Sequence, residues 1–327
     1  MLYNLAYPFM QLSALAHQRY HWCLVMMKRR PKLLLKTSVR PETHYNGLCG
    51  KLRRADTILL SRLSPGWAAR YAIRMFEKPT RMPCMANDLE FEQQSQQHQL
   101  TFNKCRINVF CHEPPASVPV QGTILLVHGW EGRSVMFRPL TEKLLANGYR
   151  VIAPDLIAHG SSEGERCSFY DLAQLLLQIN QQFGAFHAAI GHSFGGTALA
   201  MAIDAGLSTH RLIKIGSPDG LGNLLDSYID YYRIPAVLKD RLKQIYHRRY
   251  GMHPDMIDTP LWKTLSLPTL LCHDRNDTII DITQAQKMSA AFPNCELFLT
   301  DGWGHRGVLK DRNIHQKIIE FMQSEAT

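Results

Sequence analysis

The sequence predicts a doubly wound, mostly parallel α/β sheet with flanking helices, and three observations predict it. Short unbroken apolar runs recur through the second half of the chain, beginning at residues 123, 149, 188, 212, 268 and 295. Such runs fit strands buried on both faces, as a parallel sheet requires. Helical stretches stand between the runs, and strand alternating with helix builds right-handed crossovers. The spacing is also right, since a crossover unit takes about 30 residues; only the interval from 212 to 268 is too long for one crossover.

In chain order, the runs are "TILLVHG", "YRVIAPDL", "AAIGHS", "LIKIGSP", "PTLLCHD" and "CELFLTDG". The helices between them are "FRPLTEKLLANG" (137–148), "FYDLAQLLLQINQQFG" (169–184), "GGTALAMAIDAG" (195–206) and "ITQAQKMSAAF" (282–292). Residues 219–265 are an insertion whose "NLLDSYIDYYRIPAVLKDRLKQIYHRRYG" supplies two helices split near Pro235. Upstream, "LTFNKCRINVFCHE" (100–113) alternates as one antiparallel edge strand. The Gln-rich residues 86–99 read as a linker or exposed turn. Residues 1–85 read as helical pieces broken by Pro31, Pro41 and "SPGW", with "PGWAARYAIRMFEKP" an amphipathic helix. Two parts follow: a basic helical segment, 1–85, and a main domain, 86–327, that carries the insertion.

The charge is uneven. The formal net charge is +9 over 327 residues, yet residues 1–85 hold 15 of the 37 Lys+Arg and only 3 of the 28 Asp+Glu. No helix-turn-helix, zinc-finger or RNA-binding aromatic pattern accompanies that charge, which argues against nucleic acid. The apolar start of the chain is broken by His17, Gln18, Arg19 and His21, too early for a bilayer span. Its charges follow the apolar part, the reverse of a secretory signal. The segment is expected to be a helical arm on the body or a peripheral contact with an anionic membrane surface. Eight scattered cysteines show neither a C-x-x-C pair nor metal-ligand spacing. Reduced thiols in a cytoplasmic protein, free or peripheral to the inner face of a membrane, are the expectation.

The candidate site begins at "GHSFGG", where Gly191, Ser193, Gly195 and Gly196 stand between a buried strand and a small-residue helix. Glycines cost backbone entropy; here they let strand and helix approach while a sharp turn pushes the serine outward. The Phe194 N–H then lies at a helix N-terminus, where negative charge is favoured. Serine needs a base, and His305 in "TDGWGHRGV" follows the last strand. The base needs a carboxylate. "CHDRNDTII" offers Asp274 at the strand end and Asp277 further along the loop; Asp277 has the loop length to reach the adjacent histidine. A second oxyanion donor is expected from "LLVHGWEGRS", at the Trp130 N–H beside Gly129.

Together "HGWEG", "DLIAHGSSEG", "GHSFGG", "HDRND" and "GWGHR" resemble the α/β-hydrolase superfamily over about residues 100–325, most closely its esterase and lipase branch. The resemblance implies Ser193 as nucleophile, Asp277 as acid, His305 as base, and Phe194 and Trp130 as oxyanion donors. It implies a lid at 219–265 and no metal or organic cofactor. The serine argues against the dehalogenase and epoxide-hydrolase branches, whose nucleophile is aspartate.

Bland alternatives stand beside these readings. His128, His159 and His192 fit structural roles in loops and under the turn, and Asp155 fits a cap. Glu131 and Arg133 are either solvated loop charges or pocket residues that read a polar group of the substrate. Tyr228 and Tyr232 are either lid core or lining of an acyl pocket. The expected activity is hydrolysis of an ester or thioester of a small, partly apolar molecule. Acyl transfer, aminopeptidase or C–C hydrolase chemistry would use the same triad, and a non-catalytic binding module is the alternative from another class.

Overall fold

The computed structural model describes residues 48–231 and 234–324, with side chains described from residue 55 onward and excepting residue 231. The expectations for residues 1–47 and for Tyr232 lie outside the described residues.

Twelve helices and eight strands alternate along the described chain. Two helices, α1 (Leu48–Leu63) and α2 (Pro65–Phe76), come first, then α3 (Ala86–Gln93) and the strands β1 (Gln96–Phe102), β2 (Cys105–His112) and β3 (Gly122–Val127). The alternating part follows: α4 (Arg138–Ala146), β4 (Tyr149–Pro154), α5 (Phe169–Phe183), β5 (Ala188–His192), α6 (Phe194–Asp204) and β6 (Leu212–Ile215). After β6 come α7 (Leu221–Tyr231), α8 (Lys239–Tyr250) and α9 (Thr259–Trp262). The chain closes with β7 (Thr269–Asp274), α10 (Ile282–Ala291), β8 (Cys295–Thr300), α11 (Gly304–Gly307) and α12 (Arg312–Gln323).

The eight strands form one sheet in the order β1-β2-β4-β3-β5-β6-β7-β8. From β4 to β8 every pairing is parallel; β1 and β2 are antiparallel. Two expectations upstream of the parallel part are corrected. Residues 100–113 are not one strand but a hairpin that turns at Asn103 and Lys104, both at positive φ (48° and 63°), the conformation that a two-residue hairpin loop demands. Residues 86–99 are not a linker: they hold α3 and the first half of β1. The polar letters misled because β1 is an edge strand with only Leu100 buried. The middle strands bury every residue, as the unbroken apolar runs require. One face of the sheet packs on α4 and α12 through Leu140, Leu144, Ile314 and Ile318.

Two compact units emerge. One comprises residues up to Phe76 together with Leu225–Tyr246; the other comprises Glu77–Leu224 and His247–Thr327 and contains the whole sheet. In the first, α1 and α2 bury Leu60, Ala68, Ala69, Ala72 and Ile73, and the Tyr71 hydroxyl donates to Asp56. Tyr228 belongs to this packing: its hydroxyl donates to the Ala72 carbonyl and its ring meets Phe76 edge-on, with centroids 4.9 Å apart. The insertion, 219–265, contains α7, α8 and α9, with Pro235 leading into a short 3-10 turn between the first two. No described helix is long and apolar enough to cross a membrane. Six cysteines have described side chains, and all six are free thiols.

One feature of the sheet unit breaks the apolar rule. Lys214 in β6 is 1% exposed. Its ammonium sits 4.0 Å from the Trp262 ring and donates to the Met288 sulfur at 3.1 Å and to the Pro218 carbonyl at 3.5 Å. Burial pushes its pKa down to about 7, against the opposing pull of Asp219 and Asp258. The unfolded chain keeps this proton to about pH 10.5. Between those values the unfolded state binds more protons, so stability rises with pH, and below about pH 7 the cost of the buried cation is present in full. Lys214→Met is therefore expected to raise the thermal midpoint more at pH 6 than at pH 10. Midpoints at the two pH values check this; an equal increment at both would refute it.

Candidate active site

The turn between β5 and α6 is built by three glycines. A Cβ on Gly191 would run into the Gly196 backbone, one on Gly195 into the Val127 carbonyl, and one on Gly196 into the Ser217 hydroxyl. With these contacts closed, Ser193 is held at φ 51° and ψ −124°, a conformation that non-glycine residues rarely adopt. Its amide donates to the Ile215 carbonyl of β6, which fixes the turn on the sheet. Phe194 is the first residue of α6, so its N–H is among those that a helix start leaves without an intrahelical acceptor.

The sheet order brings the later loops to this turn. The Ser193 hydroxyl donates to His305 Nε2 at 3.0 Å, and His305 Nδ1 donates to Asp277 Oδ2 at 2.7 Å. The other carboxylate oxygen of Asp277 accepts from the Ile279 and Ile280 amides at 2.8 and 3.0 Å. Burial works to raise the Asp277 pKa, but these bonds, led by that from His305, outweigh it and hold the carboxyl below its ordinary range. Gly216, at φ 54°, lies against the pair: a Cβ there would stand 3.4 Å from Asp277 Oδ2 and 3.6 Å from His305 Nδ1.

Asp274 takes a part that the sequence reading did not assign. It accepts four hydrogen bonds: from the Asn276 and Gly304 amides at 3.0 and 2.9 Å, from the Trp303 amide at 3.2 Å and from the Thr300 hydroxyl at 2.9 Å. Burial opposes ionisation here too, but the bonded amides and hydroxyl hold its pKa below the ordinary range. Two of those amides immediately precede His305, so Asp274 anchors the loop that carries the histidine. Glycines at positive φ on either side of Trp303, Gly302 and Gly304, let that loop turn. The signal for this role was present in the sequence: a carboxylate at a strand end, opposite a glycine-rich loop.

Three buried histidines also serve the site. The His192 Nε2–H donates to the His305 carbonyl at 2.8 Å. Burial, aided by His305, pushes the His192 pKa down to about 3, so it stays a neutral strut. The Leu156 amide donates to His128 Nε2 at 3.0 Å, which leaves the proton on Nδ1 to donate to the Gly129 carbonyl at 2.8 Å. Burial lowers the His128 pKa, consistent with that neutral form. His159 donates from Nδ1 to the Ile157 carbonyl, and its ring meets those of His128 and Trp130, each at 5.2 Å.

The turn at residues 129–132, closed by the Gly132 amide on the Gly129 carbonyl, lies directly on the elbow. A Cβ on Gly129 would stand 2.9 Å from His192 Nδ1 and 3.0 Å from Ser193 Cβ. The Trp130 and Phe194 rings meet at 5.0 Å. Arg133 is not a solvated charge: it is 3% exposed, pairs with buried Glu92 of α3 and lies 4.0 Å from Asp155. A buried cation needs such a partner, and α3 supplies it from 41 residues away. The Glu131 carboxylate turns to residue 80 and accepts its amide at 3.0 Å. Asp155 caps as expected, accepting from the Ser134 and Ser161 amides at 2.8 and 2.7 Å.

The fold agrees with the comparisons. The chain belongs to the alpha/beta hydrolase family, whose pattern it matches over residues 124–315. It is 24% identical over 222 residues to a pyrethroid hydrolase of Sphingobium wenxiniae, covering 52% of this chain and 76% of that one. It is 40% identical over 95 residues to the magnesium-chelatase 30 kDa subunit of Rhodobacter capsulatus, covering 28% of this chain and only 32% of that protein. An esterase of Pyrococcus furiosus has the same fold, with TM-score 0.56 and 18% identity over 76% of this chain and 97% of that one.

Asp274→Ala is expected to lower stability by about 2–4 kcal/mol, since it leaves buried donors unpaired. It should also speed amide exchange at Trp303 and Gly304 specifically. Denaturant unfolding and hydrogen exchange check both, and unchanged exchange at those amides would contradict the anchoring role.

Proposed function

We propose that the protein is a serine hydrolase that cleaves a carboxylic ester or thioester through an acyl-enzyme on Ser193. The observation that carries this reading is the unbroken chain Ser193–His305–Asp277, with contacts of 3.0 and 2.7 Å, at the first turn of α6. His305 takes the Ser193 proton as the oxygen attacks the substrate carbonyl. The new oxyanion is held by the N–H groups of Phe194 and Trp130. Asp277 keeps the histidine proton on Nδ1 and stabilises the imidazolium. His305 then hands its proton to the leaving alcohol or thiol as the carbonyl reforms. Water, losing a proton to His305, attacks the acyl-enzyme, and the acid departs as Ser193 recovers its hydrogen. The names of a pyrethroid hydrolase and of an esterase among the similar proteins point to the same class of bond, and the substrate we infer is a small, partly apolar ester.

The test is labelling with a fluorophosphonate probe, together with turnover of a p-nitrophenyl ester chain-length series. Wild type should label and show a chain-length optimum. Ser193→Ala should abolish labelling and cut kcat by roughly 10⁴-fold or more. Asp277→Asn should cut kcat by about 10³–10⁴-fold, with KM nearly unchanged. A folded wild type that neither labels nor turns over would overturn the reading in favour of a binding module.

We further infer that the basic N-terminal part contacts anionic membrane. Its first described helix, α1, exposes Leu59 (59%) and Leu63 (70%) beside Arg62, a combination suited to an anionic lipid surface. Binding to phosphatidylserine vesicles should weaken with salt and fall in Leu59→Ser/Leu63→Ser; unchanged binding would refute it.

A further inference from the structure

The segment at residues 77–85 precedes the family-matched region. It belongs to the sheet unit, and the polar groups of two of its residues, Thr80 and Arg81, converge on the surroundings of one residue, Trp130. The Arg81 guanidinium takes four backbone carbonyls. Nη1 shares its two hydrogens among those of His159, Gly160 and Ser162 at 3.1, 2.8 and 2.5 Å, and Nη2 donates to that of Gly164 at 2.9 Å. The loop at residues 157–164 is therefore curled around a single side chain. Ala158 in it stands at φ 66°, a conformation that costs about 1–2 kcal/mol in a residue other than glycine. The fully buried His159 ring of that loop meets the Trp130 ring edge-on.

The preceding residue acts on the other side of Trp130. The Thr80 amide donates to Glu131 Oε1 at 3.0 Å. Glu131 follows Trp130 directly and stands at φ 55°, a strained position for a side chain that then reaches back to residue 80. Consecutive residues 80 and 81 thus hold both the chain neighbour of Trp130 and the loop whose histidine packs on its ring.

We propose that residues 80–81 form a strap that positions the Trp130 N–H for the oxyanion, with Arg81 and Glu131 as positioning residues. The inference rests on the serine-hydrolase reading above. Arginine suits the role because its planar fork presents several donors at fixed angles and stays charged at any working pH. Lysine, with a point charge, can satisfy only part of the set. The strap differs from a simple staple in what it controls. A donor that drifts by about 1 Å can cost on the order of 10²-fold in rate without weakening ground-state binding.

The experiment uses the full chain and the best p-nitrophenyl ester. Arg81→Ala is expected to lower kcat by roughly 10- to 100-fold with KM little changed. Affinity for a trifluoromethyl ketone, whose hemiketal oxygen needs the same donors, should fall by a similar factor. Affinity for the product acid should hold. Arg81→Lys should recover part of the loss, and millimolar methylguanidinium should recover part of it in Arg81→Ala. Glu131→Gln, which keeps the accepting oxygen, should stay near wild type, while Glu131→Ala falls in kcat. If Arg81→Ala does not fold, the Glu131 pair carries the test alone. Folded Arg81→Ala and Glu131→Ala with wild-type kcat and wild-type ketone affinity would overturn the strap and leave the hydrolase reading intact. An inert, unlabelled wild type would overturn both.

Discussion

The close approach of β5 and α6 is the constraint on which the rest of this structure depends. Three glycines allow it, and the carbonyl of Val127, the hydroxyl of Ser217 and the backbone of Gly196 fill the space that side chains would need. The strand cannot flow smoothly into the helix at that distance, so the strain falls on Ser193. Everything nearby is fitted to that turn. β6 takes the serine amide, the turn at residues 129–132 rests against the serine Cβ, and the loops after β7 and β8 bring a carboxylate and an imidazole to the hydroxyl.

The supporting polar groups divide by charge. His128 and His192 are buried and neutral, and each uses one ring N–H to hold a backbone carbonyl of the site. The ionised groups, Asp274 and Asp277, are instead wrapped in donors, which lets them stay charged away from bulk water. Arg133 follows the same logic with Glu92. A neutral strut carries no charge of its own to disturb the site, whereas a wrapped carboxylate can organise a whole loop.

Much of this was legible in the sequence because the parallel strands are buried on both faces and therefore continuous in hydrophobicity. Their starts fall within one residue of expectation. The loop residues at the strand ends were legible from their order, and loop length alone singled out Asp277, which lies on the imidazole of His305. The missed pieces have two physical causes: an exposed sheet edge for one, and partners distant in sequence for the others. β1 shows no alternation because only Leu100 faces the interior. α3 is a short helix fixed by Phe91 and by the bond that Glu92 accepts from a cation 41 residues on. Arg81 reads as one more charge in a basic stretch, since the four carbonyls that it gathers lie about 80 residues downstream.

Ser193 is 8% exposed, the His305 side chain 13% and that of Asp277 1%. So recessed a hydroxyl leaves little room for simultaneous approach from two directions. In the proposed cycle, the departing alcohol and the arriving water must both come to this recessed residue. The first product must then leave it before deacylation can begin. An alcohol slow to diffuse away would recapture the acyl group and run the first half of the cycle backwards. Partition between hydrolysis and return to the ester is then governed by how fast the alcohol leaves the recessed serine as well as by chemistry at the carbonyl.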